Sequence, residues 1–192
     1  TIDGFTLPYN NSAAKLIKQT GSNVVISHLS GASISLPRWY RGCSRGFRRG
    51  RIDHKAYVLL TKQQVNTLSI EQIDLKIKSA LVYNEYDWQR INRVKFHSRS
   101  MSEGMHAILH KCPRCLQDYS MRSKGSLLFC NACDNKVLVD TYGFLNAQTV
   151  NDVAFNDMIE WRRWQNEYLR KEIDSEDFKM EFFGSLTVKD GY

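Results

Sequence analysis

The chain of 192 residues carries 27 lysines and arginines against 20 acidic residues, and 42% of its residues are hydrophobic. This balance, with only three prolines, excludes a disordered or repetitive protein and indicates a globular one. No apolar run approaches the roughly 20 residues of a membrane-spanning helix. The length fits one medium domain, or one domain with a smaller unit attached.

The N-terminal part predicts a helix followed by paired strands. Residues 13–18 predict a short helix, and the β-branched run 23–28 predicts a strand of the kind buried in a parallel sheet. Residues 54–61 predict a second strand that pairs with the first. A helix before a buried strand is half of a βαβ unit, so the sheet is expected to lack strands on its N-terminal side. The start at Thr1, without an initiator methionine, also suits a chain whose beginning is absent.

Two capping boxes mark the helices that follow. The patterns Thr61-x-x-Gln64 and Ser69-x-x-Gln72 each place a hydroxyl and a glutamine where they can satisfy free backbone N–H groups. The second opens a helix whose apolar positions keep helical spacing and should pack on the sheet: Ile70, Ile73, Ile77 and Leu81. The elements predicted after it are an apolar core or interface segment over 83–91, a strand over 93–100 and a short helix over 102–110.

Four of the five cysteines form two Cys-x2-Cys pairs, Cys112 with Cys115 and Cys130 with Cys133. Each pair offers two thiolates from one tight turn, and a tetrahedral zinc ion needs four such donors. Two disulfides or a redox dithiol are the alternatives, but disulfides suit small secreted chains. Four cysteine ligands leave no position for a catalytic water, so the predicted Zn²⁺ is structural. Reduced thiolates also indicate the cytosol.

The C-terminal part predicts strand-like segments at 137–139 and 142–144, the longest helix over 152–173, and a terminal strand over 178–182. Aromatic residues fall on one face of the long helix and predict a docking face against the first domain rather than a binding stack. The predicted division of the chain is an α/β unit in residues 1–104, a zinc ribbon in 105–147, and the helix and strand in 148–192.

Positive charge is concentrated between residues 38 and 55. This segment holds six arginines and one lysine against Asp53 alone, which gives +6 of the formal net charge of +7. Trp39, Tyr40 and Phe47 lie among these cations. A solvated surface, a contact with nucleic acid and a contact with anionic lipid all fit such a segment. Composition does not separate the last two.

The residue types predict no self-sufficient active site. None of the five histidines has an aspartate five residues further on, and no Walker or dinucleotide-binding glycine pattern occurs. Cys43 lies among arginines, which favour its thiolate, but no partner base is identifiable.

Nine short segments follow one another in a recognisable order: Ala14-Lys15-Leu16-Ile17-Lys18, Val24-Val25-Ile26, Leu29-Ser30-Gly31-Ala32, Pro37-Arg38-Trp39, Arg48-Arg49-Gly50, Tyr83-Asn84-Glu85-Tyr86-Asp87-Trp88-Gln89, Glu103-Gly104-Met105, Tyr142-Gly143 and Trp161-x-x-Trp164-Gln165. Together with the cysteine pairs, this order resembles the back half of bacterial glycerolipid acyltransferases. These are the lysophospholipid (1-acylglycerol-3-phosphate) acyltransferases, in a Gram-positive branch with an appended zinc ribbon.

The resemblance implies acyl transfer from a thioester donor, acyl-CoA or acyl-ACP, to a lysophospholipid or glycerol-phosphate hydroxyl. The family's catalytic His-x4-Asp pair has no match here, and its Glu-Gly-x-Arg motif would end just before Thr1. The resemblance therefore implies the C-terminal portion of a longer enzyme, inactive by itself. The expected fold is α/β: an incomplete acyltransferase-type sheet with flanking helices, a small zinc ribbon and a long C-terminal helix.

Charge makes Arg38, Arg48 and Arg49 the predicted contacts for lipid phosphate or a membrane surface. With the resemblance, the expected partner is an anionic membrane, and the expected location is peripheral, on its cytoplasmic face. The alternative function is a zinc-ribbon module that binds nucleic acid through the basic segment at 38–55.

Overall fold

The computed structural model describes residues 4–6, 10, 12–39, 47–175 and 179, and the fold is that of these residues. It is mixed α/β, with two small antiparallel sheets. The N-terminal elements are α1 (Ser12–Thr20), β1 (Val24–Ser30), α2 (Ala32–Ser35), β2 (Asp53–Leu60), α3 (Lys62–Thr67), α4 (Ile70–Leu81) and α5 (Glu85–Asn92). A 3₁₀ turn (Met105–Ala107), β3 (Met121–Lys124), β4 (Leu127–Cys130), β5 (Lys136–Val139), β6 (Leu145–Ala147) and α6 (Met158–Ile173) follow.

The first sheet consists of β1 and β2. Their predicted pairing is confirmed, but the strands are antiparallel, with Val24 opposite Leu60 and Ser30 opposite Asp53, so the expected parallel arrangement is wrong for this pair. Burial alternates along β1, and Val25 and Leu29 are exposed on the side away from the helices. An antiparallel sheet tolerates one open face, which a β-branched run alone does not reveal.

Helices α1, α3 and α4 cover the other face of this sheet. Both predicted capping boxes are confirmed, since Thr61 and Ser69 each accept a hydrogen bond from the backbone of the glutamine three residues on, and each glutamine side chain reaches back. The ammonium group of Lys18 donates to three carbonyls at the end of α3. The small core enclosed here consists of Ala14, Val24, Leu60, Val65, Ile73 and Ile77.

The segment after α5 differs from its prediction. No strand forms over 93–100. This segment makes one isolated bridge, between His97 and Arg49. The reason is that the Gln89 side chain occupies both backbone groups of Val94, donating to its carbonyl at 2.6 Å and accepting from its N–H at 2.9 Å. Ile91, predicted to lie in the core or in an interface, is 83% exposed and therefore not part of the core.

The cysteine pairs lie at the end of a four-stranded antiparallel sheet in the order β3-β4-β5-β6. The helix expected over 102–110 is reduced to the single 3₁₀ turn. The strand expected at 142–144 is instead a turn, because the Asp140 carboxylate accepts hydrogen bonds from the backbone of Tyr142 and Phe144. One buried cluster, which extends from Ile34 to Trp161, joins this sheet to α5 and α6.

Helix α6 begins six residues later than predicted, at Met158, because Asp157 caps it by accepting from the backbone N–H of Glu160 at 3.0 Å. Its aromatic face is packed, with Trp161 fully buried, and the Trp161 indole donates to Lys111 in the predicted zinc ribbon, whereas the expected docking was against residues 1–104. No helix among the described residues is long and apolar enough to cross a membrane. The terminal strand expected over 178–182 lies outside the described residues.

Candidate metal centre and neighbouring groove

The four predicted cysteine sulfurs converge on one point. Their Sγ atoms all lie within 4.8 Å of one another, with 3.6 Å between Cys112 and Cys133 and 3.7 Å between Cys115 and Cys130. A tetrahedral ion with metal–sulfur bonds of about 2.3 Å requires sulfur–sulfur distances of about 3.8 Å. The geometry therefore fits a four-thiolate metal site.

The two cysteine turns share one backbone geometry. In each pair, the residue four positions after the first cysteine donates its backbone N–H to that cysteine's carbonyl oxygen. The distance is 3.0 Å from Leu116 to Cys112 and 3.1 Å from Asp134 to Cys130. Leu116 and Asp134 both adopt left-handed backbone conformations, with φ of 64° and 57°. Aspartate tolerates this conformation better than most non-glycine residues, whereas leucine seldom adopts it, so the same tight turn occurs twice, once with a residue that does not favour it.

The thiols differ in their surroundings. Burial raises the pKa of Cys112. Burial acts in the same direction on Cys130, but Ser120 and the backbone N–H groups of Ala132 and Cys133 outweigh it and lower the pKa of Cys130 to about 7. Hydrogen bonds that stabilise a thiolate also suit a sulfur that binds a cation.

Helix α6 closes over the first cysteine pair. The Trp161 indole N–H donates to the Lys111 carbonyl at 3.0 Å, one residue before Cys112. The Lys111 ammonium is buried, lies 2.8 Å from Asp118 and 3.4 Å from Glu172, and stands over the Tyr168 ring. Burial lowers the pKa of Lys111, but the two carboxylates outweigh it and raise that pKa. No motif predicts these contacts, and the aromatic face of α6 is the one sequence pattern that indicates them.

The three predicted arginines have different environments. Arg38 and Arg49 are exposed. Arg48 is only 2% exposed, and its guanidinium donates to the carbonyls of Ile34 at 3.1 Å and Met101 at 2.6 Å. A buried cation that donates to carbonyls is not available to a headgroup. The surface role expected for Arg48 therefore does not fit its position, whereas the role of the exposed Arg38 and Arg49 stays a prediction.

Arg38 borders a groove of about 460 Å³. The groove is lined by Leu29, Ala32, Ser33, Leu36, Arg38, Phe47, Ile52, Tyr83 and Glu85. Most of its walls are aliphatic or aromatic, which suits a hydrocarbon chain. The residues come from four separate parts of the sequence, so no local motif could have predicted the groove.

Two polar residues lie at the base of this groove. Glu85 is 2% exposed, and its carboxylate accepts a hydrogen bond from the Gly31 backbone N–H. Burial raises the pKa of Glu85 to about 7, although Ser33, Gly31 and Tyr83 favour its ionised form. The Tyr83 hydroxyl is also buried and makes no hydrogen bond of normal geometry within the described part of the chain. Burial raises the pKa of Tyr83 as well.

No catalytic triad is present among the described residues. Ser27 contacts His54 at 2.8 Å and Ser123 contacts His106 at 2.6 Å, but neither histidine has a carboxylate partner there. Cys43 lies outside the described residues. No known family model matches this chain, and no curated protein or solved structure matches it. Functional inference therefore rests on the geometry of the site and the order of the motifs.

Proposed function

We propose that the chain is the C-terminal portion of a glycerolipid acyltransferase that acts at the cytoplasmic face of a membrane. The observation that carries the proposal is the groove beside Arg38. Three of the segments that resemble the acyltransferases, 29–32, 37–39 and 83–89, contribute to its lining. The resemblance and the apolar lining of the groove both support a lipid substrate.

The chemistry of the groove suits a single-chain phospholipid. Leu29, Leu36, Phe47 and Ile52 offer apolar surface to an acyl chain, at about 25 cal/mol for each Å² removed from water. The exposed Arg38 at the edge can form a bidentate contact with a phosphate. In the reaction, the acceptor hydroxyl loses its proton to a base, its oxygen attacks the thioester carbonyl, and the thiol leaves. That base would come from sequence before Thr1.

The open sheet supports the same proposal. β1 and β2 pair only with each other within the described residues, so each has a free edge. Val25, Leu29 and Val58 are more than half exposed on its open face. Unpaired edges and exposed aliphatic residues are costly in an isolated unit; further strands would pair the edges, and other elements of a longer chain would cover the open face.

The four cysteines would hold a structural Zn²⁺ in this enzyme. With all four ligands from the protein, the ion would have no open position for water or substrate, so its contribution would be to folding. Its position beside Lys111 would couple the ion to the docking of α6.

Sequencing the coding DNA before the codon for Thr1 tests the proposal. We expect a His-x4-Asp pair followed by Glu-Gly-x-Arg in the same reading frame. The joined protein should transfer a labelled acyl group to lysophosphatidate, and residues 1–192 alone should not. A stop codon or an unrelated upstream sequence would refute the proposal, and turnover by the chain alone would refute the assignment of the base.

A matched pair of variants tests the groove. Leu36→Trp fills the groove and should weaken lysophosphatidate binding by about tenfold, since it displaces apolar contact worth over 1 kcal/mol. Leu75→Trp changes another exposed leucine, on α4, and should leave binding unchanged. Equal affinities for the two variants would place the acyl chain elsewhere.

A further inference from the structure

Folding brings a second basic segment, residues 95–99, beside residues 47–51 of the basic segment at 38–55. The backbones of Arg49 and His97 exchange two hydrogen bonds, of 3.2 and 2.8 Å, so residues 47–51 and 95–99 run antiparallel at this point. Arg48 and Phe96, next to this pair, are buried. Because successive residues of extended chains point to opposite sides, the alternate residues face outward. These exposed residues, which we call the basic strip, are Phe47, Arg49, Arg51, Lys95, His97 and Arg99.

Among the described residues, most of the charge on the basic strip has no acidic partner. Arg51 forms an exposed ion pair with Asp53 at 2.9 Å. Arg49, Lys95 and Arg99 have no ion pair within the described part of the chain. Phe47, Arg49 and His97 also line an open groove of about 560 Å³. The strip thus offers arginine and lysine to an anionic surface, with an aromatic ring at one end.

The residues next to the strip distinguish lipid from nucleic acid. Phe47, which is 55% exposed, lines both the strip's groove and the apolar groove of Leu29, Leu36 and Ile52. Exposed aliphatic side chains gain by entering hydrocarbon. Surfaces that bind single-stranded nucleic acid instead combine their cations with aromatic rings on which bases stack. The pattern of cations beside aliphatic residues favours a lipid surface.

We propose that the basic strip docks the chain on an anionic lipid bilayer, with Phe47 entering the interface and the Arg38 groove opening beside it. The choice of a bilayer as partner rests on the proposed function. The assignment of the strip residues rests on their pairing, exposure and charge. Each arginine near an anionic surface should change membrane partitioning by about fivefold.

Co-sedimentation of the zinc-loaded chain with vesicles tests the proposal. We expect binding to phosphatidylcholine vesicles that contain phosphatidylglycerol, little binding to pure phosphatidylcholine, and loss of binding as salt is raised. Arg49→Ala with Arg99→Ala should lower the partition coefficient by about 25-fold. Arg163→Ala with Arg170→Ala removes the same charge from exposed positions on α6 and should have little effect. Zinc content and circular dichroism identify any variant that fails to fold.

A second measurement follows Phe47. Emission of the Phe47→Trp variant should be quenched by brominated lipids, and emission of Leu75→Trp on α4 should be quenched no more than that of the unsubstituted chain. Quenching at both positions or at neither would overturn the role of Phe47.

The proposal fails if the two arginine pairs have equal effects, or if anionic vesicles do not bind. Retention of DNA or RNA that depends on Arg49 and Arg99, without vesicle binding, would make the strip a nucleic-acid surface. Vesicle binding through the strip by a chain whose upstream sequence is unrelated to acyltransferases would uphold this inference and refute the proposed function.

Discussion

At the scale of single residues, Phe96 holds three loops together. Its side chain is completely buried, and its backbone N–H donates to the Thr141 carbonyl at 2.7 Å. Glycines lie against its ring on two sides. A Cβ added at Gly50 would lie 2.2 Å from a ring carbon, and one added at Gly31 would lie 3.0 Å away. The ring therefore sets the course of the basic strip and of the turn after β1.

Gly50→Ala should destabilise the protein by about 2 kcal/mol, because the new methyl group overlaps a ring that has no room to move. Urea unfolding followed by circular dichroism would measure the change. Adding Phe96→Leu to the same chain should recover part of the loss by freeing space. If Gly50→Ala unfolds at the same urea concentration as the unsubstituted chain, the close approach of Gly50 to Phe96 is wrong.

Glu85 should make stability depend on pH. Its pKa is raised to about 7 by burial, from an ordinary value of 4.5. Because the folded pKa is the higher one, this contribution is fully present below about pH 4.5 and is lost as pH rises through about 7. The loss is up to about 3 kcal/mol.

Glu85→Gln should remove this pH dependence, so the difference in unfolding free energy between the variant and the unsubstituted chain should change across that window. Glu167→Gln, at an exposed position on α6, serves as the control and should leave the slope intact. A constant difference for Glu85→Gln would show that Glu85 titrates normally.

At the scale of elements, α6 is attached to the metal centre by Gln165. This side chain is 4% exposed; its amide oxygen accepts from the Lys111 N–H at 3.0 Å, and its amide nitrogen donates to the Ile108 carbonyl at 2.9 Å. One glutamine thus satisfies two backbone groups on the approach to Cys112. The helix is thereby fixed to the segment that carries Cys112, the first cysteine of the candidate metal site.

Gln165→Ala should cost about 2 kcal/mol, since it leaves two buried backbone groups without partners. Asn166→Ala changes the exposed neighbour on the same helix and should cost less than about 0.5 kcal/mol. Thermal unfolding of the two variants compares them directly. Similar melting temperatures would mean that α6 is held by its aromatic face alone.

Elements were predictable where their signals are local. The capping boxes at Thr61 and Ser69 and the spacing of the cysteines fix short-range geometry, and each was found as expected. The prediction of a strand over 93–100 was wrong because alternating burial occurs both in strands and in irregular extended segments. In this case, the Gln89 side chain took the place of a partner strand.

Distant contacts were not predictable. Arg48 looked like a surface cation, but the carbonyls of Ile34 and Met101, which bind it, are far away in the sequence. Glu85 gave no functional signal, because the groove above it forms only when separate segments meet. The second half of the basic strip was missed for the same reason: residues 95–99 become part of a larger charged surface only through the pairing of His97 with Arg49.

At the scale of the whole molecule, the described residues contain two buried clusters of unequal size. The larger one surrounds the cysteine site and includes Cys112, Cys130 and Trp161. The smaller one lies between α1, the β1–β2 sheet, α3 and α4. Only the larger cluster includes the cysteines, so the two should respond differently to loss of the metal.

Removal of the metal by a chelator should release β3, β4 and β5 while α4 stays folded, because metal binding supplies folding free energy to the segment that holds the ligands. Hydrogen exchange would report this as loss of protection between residues 121 and 139 and retention between 70 and 81. Cys112→Ser and Cys130→Ser should reproduce the effect. Uniform protection before and after chelation would show that the ribbon folds without an ion.

The anchoring of Phe96 has a consequence for adsorption to a bilayer. A disordered basic tail loses conformational entropy when a charged layer immobilises it. Arg49 and His97 instead project from backbone that Phe96 and their mutual hydrogen bonds already hold in place. The backbone of the basic strip has therefore already lost its conformational entropy during folding. In the proposed adsorption, the favourable electrostatic free energy is then opposed mainly by the ordering of side chains.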